Sequence, residues 1–365
     1  MTSMFSALGF RFAVEPCVNG PRPWLRLPLA GPRPFRTGIL LLAALFATVR
    51  AGAAGEVPPS TSADPLAAWV REVRQRPEEY TYSGLALRAA REIYPDLNAA
   101  QEAAFGQELE RLAGTLRARL KGARTGKEKV EAASALLFQG LALRRAPEEI
   151  PEKENPNHYF PHAVLAGKEG VCLGLALVYL AVAERTGLPV VPVHAPQHLY
   201  LRYDDGRERL NLEPTDAGRI FDERAFMARY LMKPDEAARG PYFRPLGKLE
   251  VVGDLLNALA WFSAVGTAAQ PLPPERAVLA GRLCVELGPA DFNNWDTLAQ
   301  ALRYAGRPGE ALAALREALA RRPAVSGSQD ERYWKDRLAR FAAAAEPAPA
   351  PVPAPQAGRQ RTAGP

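Results

Sequence analysis

Three side chains in this sequence could together carry out acyl transfer: a thiol, an imidazole and a carboxylate. Cys172 lies near the start of "KEGVCLGLALVYLAVAERTGLP", directly after Gly170 and Val171. At the first turn of a helix, the unpaired backbone N–H groups and the positive end of the dipole favour thiolate over thiol. The same N–H groups can hold the oxyanion that forms when a carbonyl is attacked. His198 and Glu213 supply the other two parts, since a histidine held in one tautomer by an acid is the usual partner of a nucleophile. Against this stands the default role of a free cysteine in an apolar helix, a small packed hydrophobe.

The stretch "HLYLRYDDGRERLNLEPT", residues 198–215, relates the imidazole to the carboxylate. Apolar and polar residues alternate on both sides of an Asp-Asp-Gly turn, the pattern of a β-hairpin with one buried face. Leu199, Leu201, Leu210 and Leu212 line the apolar face. His198, Tyr200, Arg202, Arg209, Asn211 and Glu213 share the other. A two-residue loop at Asp205-Gly206 sets His198 directly across from Glu213, Leu199 across from Leu212 and Leu201 across from Leu210. A loop at Asp204-Asp205 sets Asn211 across from His198 instead. A slip by one residue would bring Leu212 to the histidine and invert the strand. Catalytic roles are therefore assigned to Cys172, His198 and Glu213, with Asn211 and Tyr200 as orienting or cleft residues. Asn157 and His158 stand upstream of the thiol as candidate helpers for the oxyanion.

The other reactive side chains form no second constellation. His194 and His198 are separated by Pro196 and share no helix face, and His158 and His162 flank Pro161 without a carboxylate in helical register. No metal site and no cofactor is expected. Of the other cysteines, Cys17 lies in the leader and Cys284 at a position expected to pack, so free thiols rather than a disulfide framework are expected. The net charge of +6 reflects the N-terminus: residues 1–54 hold six arginines, no lysine and one acid, leaving 40 basic and 39 acidic side chains elsewhere. A near-neutral remainder gives no electrostatic support for nucleic-acid binding.

Several elements must position these groups. Residues 1–54 read as a leader: Arg36, the apolar run "GILLLAALFATV" and small residues at Ala51, Ala53 and Ala54 form a secretory signal. Twelve apolar residues are too few to span a bilayer, so export to the periplasm or outside is expected, with an uncleaved membrane anchor as the alternative. Residues 55–145 carry amphipathic helical spacing in four segments, broken at "YPDLN", where Asp96 or Asn98 can cap the next helix. Residues 146–250 combine a proline-rich connection, a helix apolar nearly all round from Val171 to Ala183, and strands, an α+β arrangement around one buried helix. Residues 251–345 read as helical repeats. Trp295, Leu298, Ala299, Leu302, Ala311, Leu315, Ala318 and Pro323 follow the tetratricopeptide spacing, and Trp261, Ala277 and Pro289 stand 34 residues earlier. "ERYWKDRLARF" reads as a capping helix, and residues 346–365 as a disordered Pro/Ala-rich tail.

"GVCLGLALVYLAVAERTGLPV", "APQHLYLRY" and "LNLEPTDAG" together resemble the transglutaminase-like superfamily, and most closely its SirB1 type, over roughly residues 82–245. The resemblance implies a papain-like core with its Cys on a helix and its His and acid on adjacent strands. It makes Cys172 the nucleophile, His198 the general base and Glu213 the orienting acid, a glutamate where the superfamily commonly has aspartate. The expected activity is that of a cysteine hydrolase or acyltransferase, with peptidase/amidase or transglutaminase chemistry on a protein or peptide amide. The alternative is a non-catalytic scaffold whose repeats bind a partner peptide, because many SirB1-type proteins lack the cysteine.

Overall fold

The computed structural model describes residues 63–147, 149, 153–233, 237, 240–323 and 328–346. The leader and the tail beyond 346 lie outside the described residues. The chain enters through helices that begin where their capping residues stand. Helix α1 (Pro65–Gln75) starts after Asp64, whose carboxylate accepts from Leu66 N at 2.8 Å, and α2 (Tyr82–Ala90) starts after Thr81, which accepts from Gly84 N. Helix α3 (Ala99–Leu120) is capped by Asn98 in a reciprocal box with Gln101, and α4 (Gly126–Ser134) by Thr125 with Glu128. Each box satisfies two amide donors that a helix start leaves unpaired. Beyond Ser134 helix α4 widens at Ala135–Gly140 into a π turn, which buries the consecutive residues Leu136, Leu137 and Phe138.

Strand β1 (Arg144–Arg145) pairs in parallel with β2 (Glu169–Gly170), with the short helix α5 (Pro161–Gly167) between them. Helix α6 (Cys172–Thr186) follows at once. Every residue from Leu173 to Ala183 on it is buried, as expected for a helix apolar all round. It ends at Gly187, left-handed at φ 69°, with Leu188 N bonded back to Ala183 O at 3.0 Å. That is the conformation for which glycine is the usual helix terminator.

Strands β3 (Val190–Ala195), β4 (His198–Asp204), β5 (Arg209–Glu213) and β6 (Arg219–Phe221) form an antiparallel sheet in sequence order, and α6 packs on β3 and β4. The hairpin register differs from both sequence expectations. Leu201 pairs with Leu212, Arg202 with Asn211, Tyr203 with Leu210 and Asp204 with Arg209, so the loop is Asp205 to Glu208. The aspartates cause this. Asp204 Oδ1 accepts from Gly206 N at 3.0 Å, and Asp205 Oδ1 accepts from Arg207 N at 3.0 Å and Glu208 N at 2.8 Å. Asx bonds of this kind stabilise a longer loop than a two-residue turn. They also bring the Asp205 carboxyl down to about 2, helped by the Tyr203 hydroxyl.

The face carrying Tyr200 and Arg202 is covered rather than solvated. Tyr200 is fully buried, stacks on Phe226 of α7 (Arg224–Arg229) at 5.9 Å between ring centres, and donates to Glu223 at 2.8 Å. Arg202 is buried too, donating from Nε to Asn211 Oδ1 at 2.8 Å and pairing with Glu223. The C-terminal part is helical: α8 (Lys248–Val265), α9 (Pro274–Leu287), α10 (Phe292–Tyr304), α11 (Pro308–Arg321) and α12 (Ser328–Ala345), each packed on the next. Among the repeat positions, Ala277, Leu298, Ala299, Leu302, Ala311, Leu315 and Ala318 are buried. No described helix is long and apolar enough to cross a membrane.

Candidate functional site

Cys172 is the first residue of α6, after Val171 in extended backbone, and is partly exposed. No side chain caps this helix start. The approach to it is set by glycine. Val171 N donates to the His158 carbonyl at 3.0 Å, and a Cβ on Gly174 would lie 2.2 Å from that oxygen and 2.8 Å from Val164 Cγ2. Helix propensity alone favours Gly→Ala by ~1 kcal/mol. Here Gly174→Ala is expected to destabilise by about 1–3 kcal/mol, because backbone must move, and a melting curve shows the reversed sign.

His198 is the first residue of β4, and its ring is paired with the acid. Nε2 lies 2.7 Å from Glu213 Oε2, and the Cys172 sulfur is close enough to raise the imidazole's pKa. Burial pushes the imidazole pKa down, but the Glu213 carboxylate and the sulfur outweigh it and hold the pKa at about 10. Phe226 covers the ring at 5.2 Å between centroids.

Glu213, at the end of β5, reaches the histidine on a diagonal. In the observed register residue 213 lies opposite 200, so the carboxylate must cross two residues along the strand. Diagonal neighbours are roughly 7–8 Å apart at the backbone, a span suited to the longer acid. Its second oxygen is tethered: Oε1 accepts from Thr215 N at 2.9 Å and from Thr215 Oγ1 at 2.5 Å. Burial raises the carboxyl pKa, yet His198 and Thr215 bring it below the ordinary value. The offset of two residues from the expected register keeps His198 and Glu213 on one face, since side chains repeat every second residue.

Of the other residues singled out from sequence, Asn211 is turned to Arg202, and Tyr200 is sealed beneath Phe226 with its hydroxyl on Glu223; neither is brought to the thiol. Asn157 is exposed, and His158 contributes its carbonyl to Val171. Sequence reasoning missed Thr215, Phe226 and Tyr159. Thr215, two residues after the acid in "EPT", carries the side-chain-to-backbone turn signal that could have found it. Phe226 has no local signal. Tyr159 donates to Glu154 Oε2 at 2.8 Å; burial, then Glu154, then the nearby Cys172 sulfur hold its phenol well above the usual range. Cys284 is fully buried, with Sγ 3.0 Å from the Gly281 carbonyl, and burial pushes its thiol pKa up. Among the described residues no group of three or more His, Cys, Asp or Glu side chains could hold a metal ion.

Left-handed backbone recurs beside the site. Lys168 (φ 64°) stands four residues before Cys172, Gln197 (φ 55°) one before His198, and Ala217 (φ 51°) four after Glu213. Non-glycine residues in this region cluster at sites whose geometry is held by their surroundings.

Residues 103–257 match the family model described as the transglutaminase-like superfamily. F-box only protein 21 of Mus musculus is 36% identical over 62 residues, which is 17% of this chain and 10% of that protein. The Homo sapiens protein of the same name is 34% identical over 62 residues with the same coverage. The chain thus spans about a tenth of the length of these curated relatives. A crystal structure of menin, described as revealing its binding site for the Mixed Lineage Leukemia protein, covers 74% of this chain and 73% of its own. At 13% identity and a TM-score of 0.38, that likeness is too loose to assign a fold. Thiol, imidazole and carboxylate all fall inside the matched segment, and residues 103–257 form a transglutaminase-like superfamily domain.

Proposed function

We propose that the protein is a thiol-dependent acyl-transfer enzyme acting on a carboxamide, with Cys172 as nucleophile, His198 as proton carrier and Glu213 as its orienting acid. One observation carries the reading: a single imidazole lies 2.7 Å from a tethered carboxylate and near enough to a thiol, at a helix start without a side-chain cap, for that sulfur to raise its pKa. With the imidazole pKa held near 10, His198 is written as the imidazolium at neutral pH. The thiolate attacks the amide carbonyl, a C–S bond forms, and the C=O electron pair moves to oxygen. Amide N–H groups of the first turn of α6 would receive that charge. On collapse the C–N bond breaks and the leaving amine takes the proton from His198, giving a thioester. Water or a second amine then gives its proton to His198 and attacks the thioester, and the thiolate leaves. Hydrolysis or transamidation follows from which nucleophile arrives. The buried repeat positions of the C-terminal helices support, as part of the same proposal, a tetratricopeptide-like module that engages a partner peptide.

The test is residue-mapped alkylation at pH 7 with iodoacetamide. Cys172 is expected to react about tenfold or more faster than a model thiol, and buried Cys284 hardly at all. Alkylation of Cys172 at the rate of a model thiol, together with full function of Cys172→Ser, would establish the non-catalytic scaffold instead.

A further inference from the structure

Three alternate residues of β4, His198, Tyr200 and Arg202, are all engaged by one short element, α7 and its N-cap residue Glu223. A helix of six residues is too short to hold by itself, so α7 depends on what it touches. Glu223 makes no capping bond to its own helix. Its carboxylate goes to the strand instead, accepting from the Tyr200 hydroxyl at 2.8 Å and pairing with Arg202. Three residues on, the Phe226 ring lies 5.2 Å from the His198 ring between centroids, tilted 33° from parallel, and 5.9 Å from Tyr200 at 14°. The helix is fastened to β4 at two points, by a carboxylate at Tyr200 and Arg202 and by an aromatic ring at the histidine.

Burial of Phe226 itself does not explain this placement. Phe226 is only half-buried, whereas Tyr200 beneath it is fully buried and is also met edge-on by Phe221 at 5.2 Å. The ring that Phe226 approaches more closely is the imidazole. An aromatic ring within about 6 Å of a cation attracts it through the ring quadrupole, and more strongly where water is excluded. The His198 side chain is only 9% exposed, so this condition holds. The titratable groups acting on His198 come from β5 and α6, Glu213 and Cys172. Those of α7 and β4, Glu223 and Arg202, are paired with each other, and β3 opposes the histidine with Ala195. We infer that Phe226 is a positioning residue: its ring stabilises His198 in the charged state and fixes the tilt at which the imidazole meets Glu213. This rests on the thiol acyl-transfer reading, in which that imidazolium delivers the proton to the leaving amine.

The experiment isotope-labels the histidines of the full chain at Cε1 and follows their chemical shifts between pH 7 and 10. His198 is the resonance lost in His198→Asn. Phe226→Leu keeps an apolar cover over the ring but has no π face. In it, His198 is expected to lose its proton roughly half to one pH unit lower than in the parent, the scale of one cation–π contact. Phe226→Tyr retains the ring and is expected to titrate as the parent does. Phe221→Leu is the control for packing, because Phe221 touches Phe226 and Tyr200, each at 5.2 Å between centroids. It is expected to leave the His198 titration where it was. An unmoved or upward titration in Phe226→Leu, a failure of Phe226→Tyr to match the parent, or an equal downward shift in Phe221→Leu overturns the inference and leaves Phe226 as packing alone. Failure of the underlying reading looks different: Cys172 of the parent then reacts with iodoacetamide at the rate of a model thiol, whatever the histidine titration shows.

Discussion

His198→Asn is expected to lower turnover on an amide acyl donor by about 10²–10⁴-fold, the usual contribution of a positioned acid–base group. The substitution leaves an amide of similar size in place of the ring but removes the proton carrier and the positive charge beside the sulfur. Cys172 alkylation at pH 7 should slow along with turnover, because the sulfur loses its basic neighbour. Glu213→Gln keeps the tether to Thr215 but no longer stabilises the imidazolium, so its loss should be of similar kind and smaller, roughly 10²-fold. Glu213→Asp is informative for a geometric reason. The acid spans a diagonal of the hairpin to reach Nε2 at 2.7 Å while holding Thr215, and one methylene less cannot serve both ends. If His198→Asn turned over within a factor of about three of the parent, the imidazole would not be the proton carrier. With the imidazole pKa at about 10, turnover that depends on its proton should fall as pH rises through that value.

His194→Ala is expected to destabilise the folded chain at pH 7 by about 1–3 kcal/mol, as measured by denaturant unfolding. His194, on β3, lies 3.0 Å from Asp254 of α8 and 4.0 Å from Asp291 at the start of α10. Asp291 also accepts from Tyr242 at 3.2 Å and caps Asn293. Burial lowers the His194 pKa, but the two aspartates override it and bring it up to about 9, whereas burial pushes Asp291 up. Removing the imidazole leaves two partly buried carboxylates with no cation between them. The pH dependence has a definite sign. A histidine whose folded pKa is raised stabilises fully below its unfolded value of about 6.5 and loses that contribution as pH rises through the folded value. The parent chain should therefore lose stability between pH 7 and 10, His194 titrating near 9 and His198 near 10. The His194→Ala variant should show a shallower loss over the same range. An equal slope in both would show that His194 is neutral in the folded protein.

Local chemistry made part of this legible without coordinates. Asn98 starts α3, Gly187 ends α6, and the run from Leu173 to Ala183 is buried on every side, because caps and uniform apolarity act over a few residues. The alternation in residues 198–213 placed His198 and Glu213 on one face, and that survived an error of two residues in the register. A shift by two preserves the face; a shift by one would have destroyed it. The register itself depended on Asx bonds that favour a four-residue loop, a competition between turns that alternation does not decide. Burial of Tyr200 and Arg202 required Phe226 and Glu223 to fold back over the sheet, and the diagonal reach of Glu213 required Thr215 to hold its other oxygen. His194 acquired its charge from residues 60 and 97 positions away. By itself the sequence determined which side chains share a face, where α3 begins and where α6 ends. Tertiary structure alone decided which of them touch, because contacts between distant segments depend on packing that leaves no periodic trace in either segment.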